Sequence, residues 1–321
     1  MDAPLEPAAV DTAFRDDVLA GLVAPIPAVP ARWLYDRRGS ELFEAITELP
    51  EYYLTRTERA LLERCCPELA RVAGTGHAVV EFGSGSSAKT PILLRSVEPS
   101  AYVPIDISGD FLRDSASALQ ADFPGLPIHP VEANFMQPIA LPAEVAGAAK
   151  LGFFPGSTIG NLVPRTAVDL LRAMKETLGS GAWLLIGMDR IKDPELLIRA
   201  YDDAAGVTAE FNLNLLHRIN AELDGTIPIQ AFRHRAIWND RMSRIEMHLE
   251  AVRDGAFTVA GHDFSFAAGE TIHTENSHKY GFRDSRLLLR AAGWGVVEEW
   301  MDPDEKFVLI LAEAEPPRSA P

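Results

Sequence analysis

The stretch Val79-Val80-Glu81-Phe82-Gly83-Ser84-Gly85-Ser86-Ser87-Ala88-Lys89-Thr90 constrains this chain most, because it reads as a buried strand, a glycine turn and a helix start. The apolar run Ala78 to Phe82 suits a strand covered on both faces. Gly83 and Gly85 let the backbone turn sharply and approach a ligand where a Cβ would clash. Ser86 or Ser87 is expected to cap the next helix, whose free N–H groups and positive dipole end would face that ligand. The next apolar run, Ala101 to Ile105, ends at Asp106, 21 residues after Gly85. At that spacing an acidic side chain on the second strand tip holds ribose hydroxyls. A glycine turn after a strand also serves packing alone, so the pairing with Asp106 is what implies a ribose-bearing cofactor.

The third glycine of the dinucleotide pattern is absent, since Ser86, Ser87 and Ala88 follow Gly85. A nucleoside without phosphates has no pyrophosphate demanding close backbone approach, which favours S-adenosylmethionine over NAD.

From Val79 onward, apolar runs alternate with helical patterns, the signature of an α/β doubly wound parallel sheet. The expected strands are Ala78 to Phe82, Ala101 to Ile105, Ile128 to Glu132, Lys150 to Phe154 and Ala182 to Met188. Helices are expected near Ala88 to Arg95, Ser108 to Ala121 and Arg165 to Leu178. Ligands bind at the carboxyl ends of such strands, so the tips Gly83, Asp106, Asn134 and Gly156 should converge. After Asp189 the pattern changes to two helices and then strands at Ile229 to Trp238, Ser243 to Val252 and Phe257 to Phe266, an antiparallel insert. A final helix and the apolar pair Trp294 to Met301 and Phe307 to Ala312 return to the sheet edge. The expected division is a cofactor domain, 57–192 with 279–321, and an α+β substrate domain, 5–56 with 193–278.

The chain has 321 residues with a net charge of −16, which repels phosphate backbones and anionic lipid, so neither nucleic acid nor membrane is an expected partner. The only cysteines, Cys65 and Cys66, are adjacent and form neither a metal clamp nor a disulfide framework. With no basic, apolar leader at the start, a reduced, cytoplasmic protein is expected, and a monomer.

Two further stretches carry chemistry. Phe153 to Leu162 follows the fourth strand, where a transferase would hold its acceptor; its glycines make a tight loop and Asn161 offers both a donor and an acceptor. In Thr274-Glu275-Asn276-Ser277-His278-Lys279, Glu275 and Ser277 share one face of an extended segment and could hydrogen-bond an imidazole. His248, His262, His273 and His278 crowd the same third of the chain, yet no two stand at helical i, i+4 spacing and no cysteine joins them, so no metal is expected. No G-x-S-x-G elbow presents a hydrolytic serine.

Seven segments in one order resemble the histidine-specific Nα-methyltransferases of ergothioneine biosynthesis. They are Trp33 to Asp36 with Gly39 to Phe43, Leu49 to Tyr53, Gly83 to Thr90, Gly156 to Asn161, Arg199 to Thr208, Arg244 to Met247 and Thr274 to Ser277. The resemblance implies a class I methyltransferase (Rossmann-like) that moves three methyl groups from S-adenosylmethionine to the α-amine of L-histidine through mono- and dimethyl intermediates. The products would be hercynine and S-adenosylhomocysteine. By that likeness Tyr35, Gly83, Lys89 and Asp106 hold the cofactor, with Asn134 and Phe135 lining the adenine. Tyr52, Gly156, Asn161 and Tyr201 hold the amino acid's carboxylate and amine, with Tyr52, Asn161 and Tyr201 orienting the reacting nitrogen. Met247, Glu275 and Ser277 surround the imidazole. Asn134 departs from the family's usual Asp, but its amide oxygen can still accept from the adenine amine. Methylation of another amino acid such as tryptophan, and ligand binding without turnover, remain the alternatives on the same fold.

Overall fold

A computed structural model describes residues 11–85 and 89–315, so the expected cap at Ser86 or Ser87 lies outside the described residues. In chain order the helices are α1 (Thr12–Leu22), α2 (Arg37–Thr47), α3 (Tyr53–Ala73), α4 (Thr90–Val97), α5 (Gly109–Asp122), α6 (Pro164–Leu178), α7 (Pro194–Tyr201), α8 (Val207–Glu222) and α9 (Phe282–Ala291). The strands are β1 (Ala78–Phe82), β2 (Ala101–Asp106), β3 (Val131–Glu132), β4 (Lys150–Phe154), β5 (Trp183–Asp189), β6 (Phe232–Asn239), β7 (Arg244–Ala251), β8 (Gly255–Val259), β9 (His262–Phe266), β10 (Thr271–His278), β11 (Trp294–Met301) and β12 (Phe307–Ala314).

Two compact units result: a larger one from Thr47–Leu197, Trp238–Ile245 and Asn276–Pro321, and a smaller one from Met1–Ile46, Ile198–Ile237 and Glu246–Glu275. The larger unit is built on a seven-stranded sheet of order β11-β12-β5-β4-β1-β2-β3. Strands β1 to β5 pair in parallel, while β12 runs antiparallel to β5 and β11 antiparallel to β12. Alternation along β1 sends Ala78, Val80 and Phe82 into a core with Leu170, Leu171 and Met174 of α6 and Leu288 and Leu289 of α9. Val79 faces the other way, toward Leu61, Leu62 and Leu69 of α3 and Leu93 and Leu94 of α4. Helices therefore cover both faces, which is why β1 carries no exposed residue. Strand order reverses between β1 and β4, and in such sheets the crevice beyond that point receives the ligand.

The expected third strand shrinks to Val131–Glu132, with only a single bridge from Ile128 to Tyr102 before it, because Pro130 interrupts the ladder. The run expected as one strand over Phe257 to Phe266 is the hairpin β8–β9. Its two-residue turn places Ala260 (φ 48°) and Gly261 (φ 79°) in the left-handed region, and alanine there gives no turn signal. β10, read in the sequence only as an extended segment, forms a three-stranded sheet of order β10-β7-β6. Within the smaller unit the proline-rich arm bridges β10: Val29 N donates to His273 O (2.9 Å) and His273 N to Pro27 O (2.8 Å). No described helix is long and apolar enough to cross a membrane.

Candidate active site

In the larger unit the glycine turn closes β1 with Gly83 at φ 71° and Gly85 at φ 49°, both left-handed. Gly83 N and Ser84 N donate to Ile105 O, so the turn is fastened to the tip of β2. There the Asp106 carboxylate accepts from Gly85 N (3.1 Å) and Ser108 N (3.0 Å). A carboxylate has about four acceptor sites, so two remain for ribose hydroxyls. The Phe135 ring lies against Gly83, 3.5 Å from where a Cβ would stand, and packs edge-on against Phe82 and Phe154. This left-handed turn with an acid at its side and a ring at its base fits a nucleoside. Asn134 is exposed and turns its Oδ1 back to Met136 N at 3.1 Å.

Glu58 of α3, fully buried, ties this turn to the acceptor loop. Its carboxylate pairs with Lys89 Nζ and accepts from Gly156 N at 2.9 and 3.0 Å. The Gly156 amide is thus engaged by Glu58, and the glycine contributes a left-handed turn at φ 80°. Half-buried Asn161 ends the short 3-10 turn Thr158–Asn161. At Gly160 a Cβ would stand 2.8 Å from His278 O, so glycine is what lets this loop approach the end of β10.

Behind the loop sits a buried ionic cluster. Asp189, at the tip of β5, accepts from Tyr53 Oη (2.7 Å), Lys192 Nζ (2.5 Å) and Lys279 Nζ (2.8 Å). Burial works to raise the Asp189 carboxyl, but the ammonium groups of Lys279 and Lys192 outweigh it and hold it below the usual carboxylate range. Burial pushes Lys192 down to about 8 against the pull of Asp189. Lys279 Nζ also donates to Ser277 Oγ (2.8 Å), and Asp189 N donates to Ser157 Oγ (2.9 Å). The cluster thereby fixes both the acceptor loop and Ser277. Tyr52 is buried immediately before α3.

In the smaller unit, Glu275 of β10 is 7% exposed and accepts from Tyr35 Oη at 3.4 Å. The Tyr35 ring is held edge-on by Phe43 and Phe211. The hydroxyl expected at the cofactor therefore stands at the carboxylate expected to read an imidazole. Met247 is buried on β7, and Thr274 Oγ1 donates to its carbonyl at 3.0 Å and to Asn212 Oδ1 at 2.6 Å. Asn212 Nδ2 in turn donates to His248 O at 3.1 Å. Buried Tyr201 ends α7, its carbonyl 2.8 Å from His234 Nε2. Burial lowers the His234 pKa, favouring a neutral ring.

Gly83, Lys89, Asp106, Asn134, Phe135, Tyr52, Gly156, Asn161 and Ser277 thus belong to the larger unit, and Tyr35, Tyr201, Met247 and Glu275 to the smaller. Sequence reading missed Glu58, Tyr53, Asp189, Lys192 and Lys279. Glu58 did leave a signal: it lies on the apolar stripe of its helix, four residues after Leu54 and three before Leu61. Asp189 left a weaker one, an acid closing an apolar strand.

A family model described as a SAM-dependent, histidine-specific methyltransferase matches residues 14–314. A histidine N-alpha-methyltransferase of Mycolicibacterium smegmatis is 41% identical over 94% of this chain and 94% of its own length. An ergothioneine biosynthesis protein 1 of Neurospora crassa is 28% identical over 89% of this chain and 33% of that protein. Among solved structures, an S-adenosylmethionine-dependent methyltransferase from Clostridium acetobutylicum aligns over 86% of this chain and 99% of its own, with a TM-score of 0.51 at 10% identity, a likeness of fold. The chain belongs to the SAM-dependent, histidine-specific methyltransferase family.

Proposed function

We propose that this enzyme trimethylates the α-amine of free L-histidine, giving hercynine by way of the mono- and dimethyl forms, as the first step toward ergothioneine. Family membership supports the reaction class, and one observation supports the acceptor: the buried Glu275 carboxylate beside the Tyr35 hydroxyl suits an imidazole N–H. S-adenosylmethionine supplies an electrophilic methyl group on a sulfonium and leaves as S-adenosylhomocysteine. Gly83, Gly85 and Asp106 hold its ribose, Phe135 lines its adenine beside Asn134, and Lys89 is fixed by Glu58 at the same turn.

At each of three transfers a carbon–sulfur bond breaks, a carbon–nitrogen bond forms and the amine gives up one proton. The chain must present a neutral lone pair in line with the methyl group, which is a task of alignment more than of strong base catalysis. Asn161, Tyr52 and Tyr201 orient that nitrogen, Gly156 shapes the loop, and Met247 and Ser277 complete the imidazole surroundings. Displacement of this kind needs no metal. Both cysteines are buried and free, in keeping with a reducing cytoplasm, and a net charge of −16 suits a small zwitterionic acceptor better than nucleic acid. The enzyme acts as a monomer.

The test is mass spectrometry of products formed from methyl-labelled S-adenosylmethionine with each of the twenty amino acids. Histidine alone should give a trimethylated product. Preferential turnover of tryptophan, or no turnover at all, would overturn the reading.

A further inference from the structure

Glu246, His248 and His273 bring one ligand atom each to within 4.8 Å of one another. Glu246 and His248 stand at i and i+2 on β7, and alternation turns both to the face opposite Met247. His273 reaches them from β10, the neighbouring strand, its ring stacked on that of His248 with centroids 4.7 Å apart. Glu246 and His248 are 7% and 8% exposed. Helical i, i+4 spacing is one way to gather ligands; on a sheet, i and i+2 plus a cross-strand partner gathers three equally well.

We infer that Glu246, His248 and His273 form a binding site for a late first-row divalent cation of the zinc type. Two imidazoles and one carboxylate are a zinc ligand set, leaving the fourth tetrahedral position to water. Ligands of a tetrahedral zinc stand about 3.3 Å apart; His248 Nε2 and Glu246 Oε2 are already 3.1 Å apart. The outer contact of His273 fits as well. His273 Nε2 lies 3.0 Å from Glu275 O. A carbonyl can only accept, so that nitrogen carries the proton and Nδ1 keeps its lone pair for the metal, the arrangement usual for ligating histidines. A cation there ties β7 to β10 through a ring that is hydrogen-bonded to the backbone of Glu275.

Tag-free protein titrated with Co2+ should bind one ion with the intense visible absorption of a four-coordinate centre, and Zn2+ should displace it. His248→Ala and the volume-conserving Glu246→Gln each remove a direct ligand and should weaken binding by at least the roughly 10- to 100-fold that loss of an outer-shell partner costs, while His262→Ala, on exposed β9, should change nothing. Zn2+ should also slow amide exchange over Thr271 to Glu275. Weak, octahedral-type absorption, unchanged binding in both Glu246→Gln and His248→Ala, or equal loss in His262→Ala would overturn the site. Unaltered exchange on Zn2+ saturation would overturn the tie between strands. These readouts do not depend on methyl transfer.

Discussion

The two units bury polar side chains in opposite ways. The larger unit uses full charges: Asp189 with Lys192 and Lys279, and Glu58 with Lys89, each carboxylate buried and each gripping a loop at a strand tip. Around β7 and β10 the smaller unit uses mainly neutral groups, with Asn212, Thr274, His234 and the carbonyls of Met247 and His248 in one chain of hydrogen bonds, while its buried carboxylate Glu250 pairs with partly exposed arginines at the edge. Charges give stiff, oriented anchors where a reacting geometry must be held, and their removal exposes large desolvation penalties. Neutral groups lay out donors and acceptors with less at stake at each position. Glu275 is the buried carboxylate of this unit that stands beside the Tyr35 hydroxyl, which marks it as a recognition element.

Asp189 carries the largest expected effect. Asp189→Ala leaves the ammonium of Lys279, whose side chain is fully buried, and that of Lys192 without their counter-charge. The expected loss is about 3–5 kcal/mol of stability. Urea unfolding of the variant measures it, and a midpoint matching the parent chain would show that the cluster is not an anchor. Asp189→Asn, which keeps the hydrogen-bonding shape and loses the charge, should fall between the two.

Glu81 is the larger unit's exception, a fully buried carboxyl held by Tyr102 Oη (2.5 Å) and Thr90 Oγ1 (2.7 Å) with no cation bonded to it among the described residues. Burial pushes it up from 4.5 to about 7. Between those values the folded chain holds a proton that the unfolded chain has released, so this residue's contribution falls as pH rises from 4.5 to 7. The shift corresponds to about 3 kcal/mol at roughly 1.4 kcal/mol per pH decade. Glu81→Gln should gain on the parent by that amount between pH 4.5 and pH 8. Unfolding free energies across that range check it, and a constant gap between the two proteins counts against a buried neutral carboxyl.

The larger unit was also the more legible in sequence, and for a physical reason. A strand buried on both faces is one continuous apolar run, so β1 and β4 were bounded to the residue, and the turn and Asp106 sit at fixed distances from them. In the smaller unit β8 and β9 are five residues each and partly exposed, with an alanine in their turn, and β10 (Thr271–His278) is buried but rich in polar residues, so neither the Ala260–Gly261 turn nor a β10 strand shows as an apolar run. The candidate site divides the same way. Asp106 and the glycines declare themselves by local spacing, whereas Tyr35 meets Glu275 across 240 residues and Glu58 meets Gly156 across 98. Such pairings exist only once the chain has folded. The family resemblance supplies the residue names without these contacts.

Glu275→Ala tests whether the smaller unit's carboxylate reads the acceptor. A hydrogen bond to a charged group contributes about 1.5–3 kcal/mol, so histidine should lose roughly 10- to 150-fold in kcat/KM while the KM for S-adenosylmethionine stays within about 2-fold. Competition between histidine and other amino acids in one reaction measures the discrimination directly. An unchanged preference would move recognition to other side chains, with Met247 and Ser277 first in line.

The smallest effect belongs to the neutral network itself. Thr274→Val keeps the side-chain shape and deletes one hydroxyl that donates to both Asn212 Oδ1 (2.6 Å) and Met247 O (3.0 Å). Asn212 is fully buried, so its carbonyl oxygen loses a donor that water cannot readily replace. The expected loss is about 1–2 kcal/mol of stability, well under that of Asp189→Ala, because no charge is stranded. If the smaller unit relied on its polar chain as the larger relies on Asp189, the two variants would unfold at similar urea concentrations. A gap between them, with Asp189→Ala the weaker, is what a neutral network beside an ionic one requires.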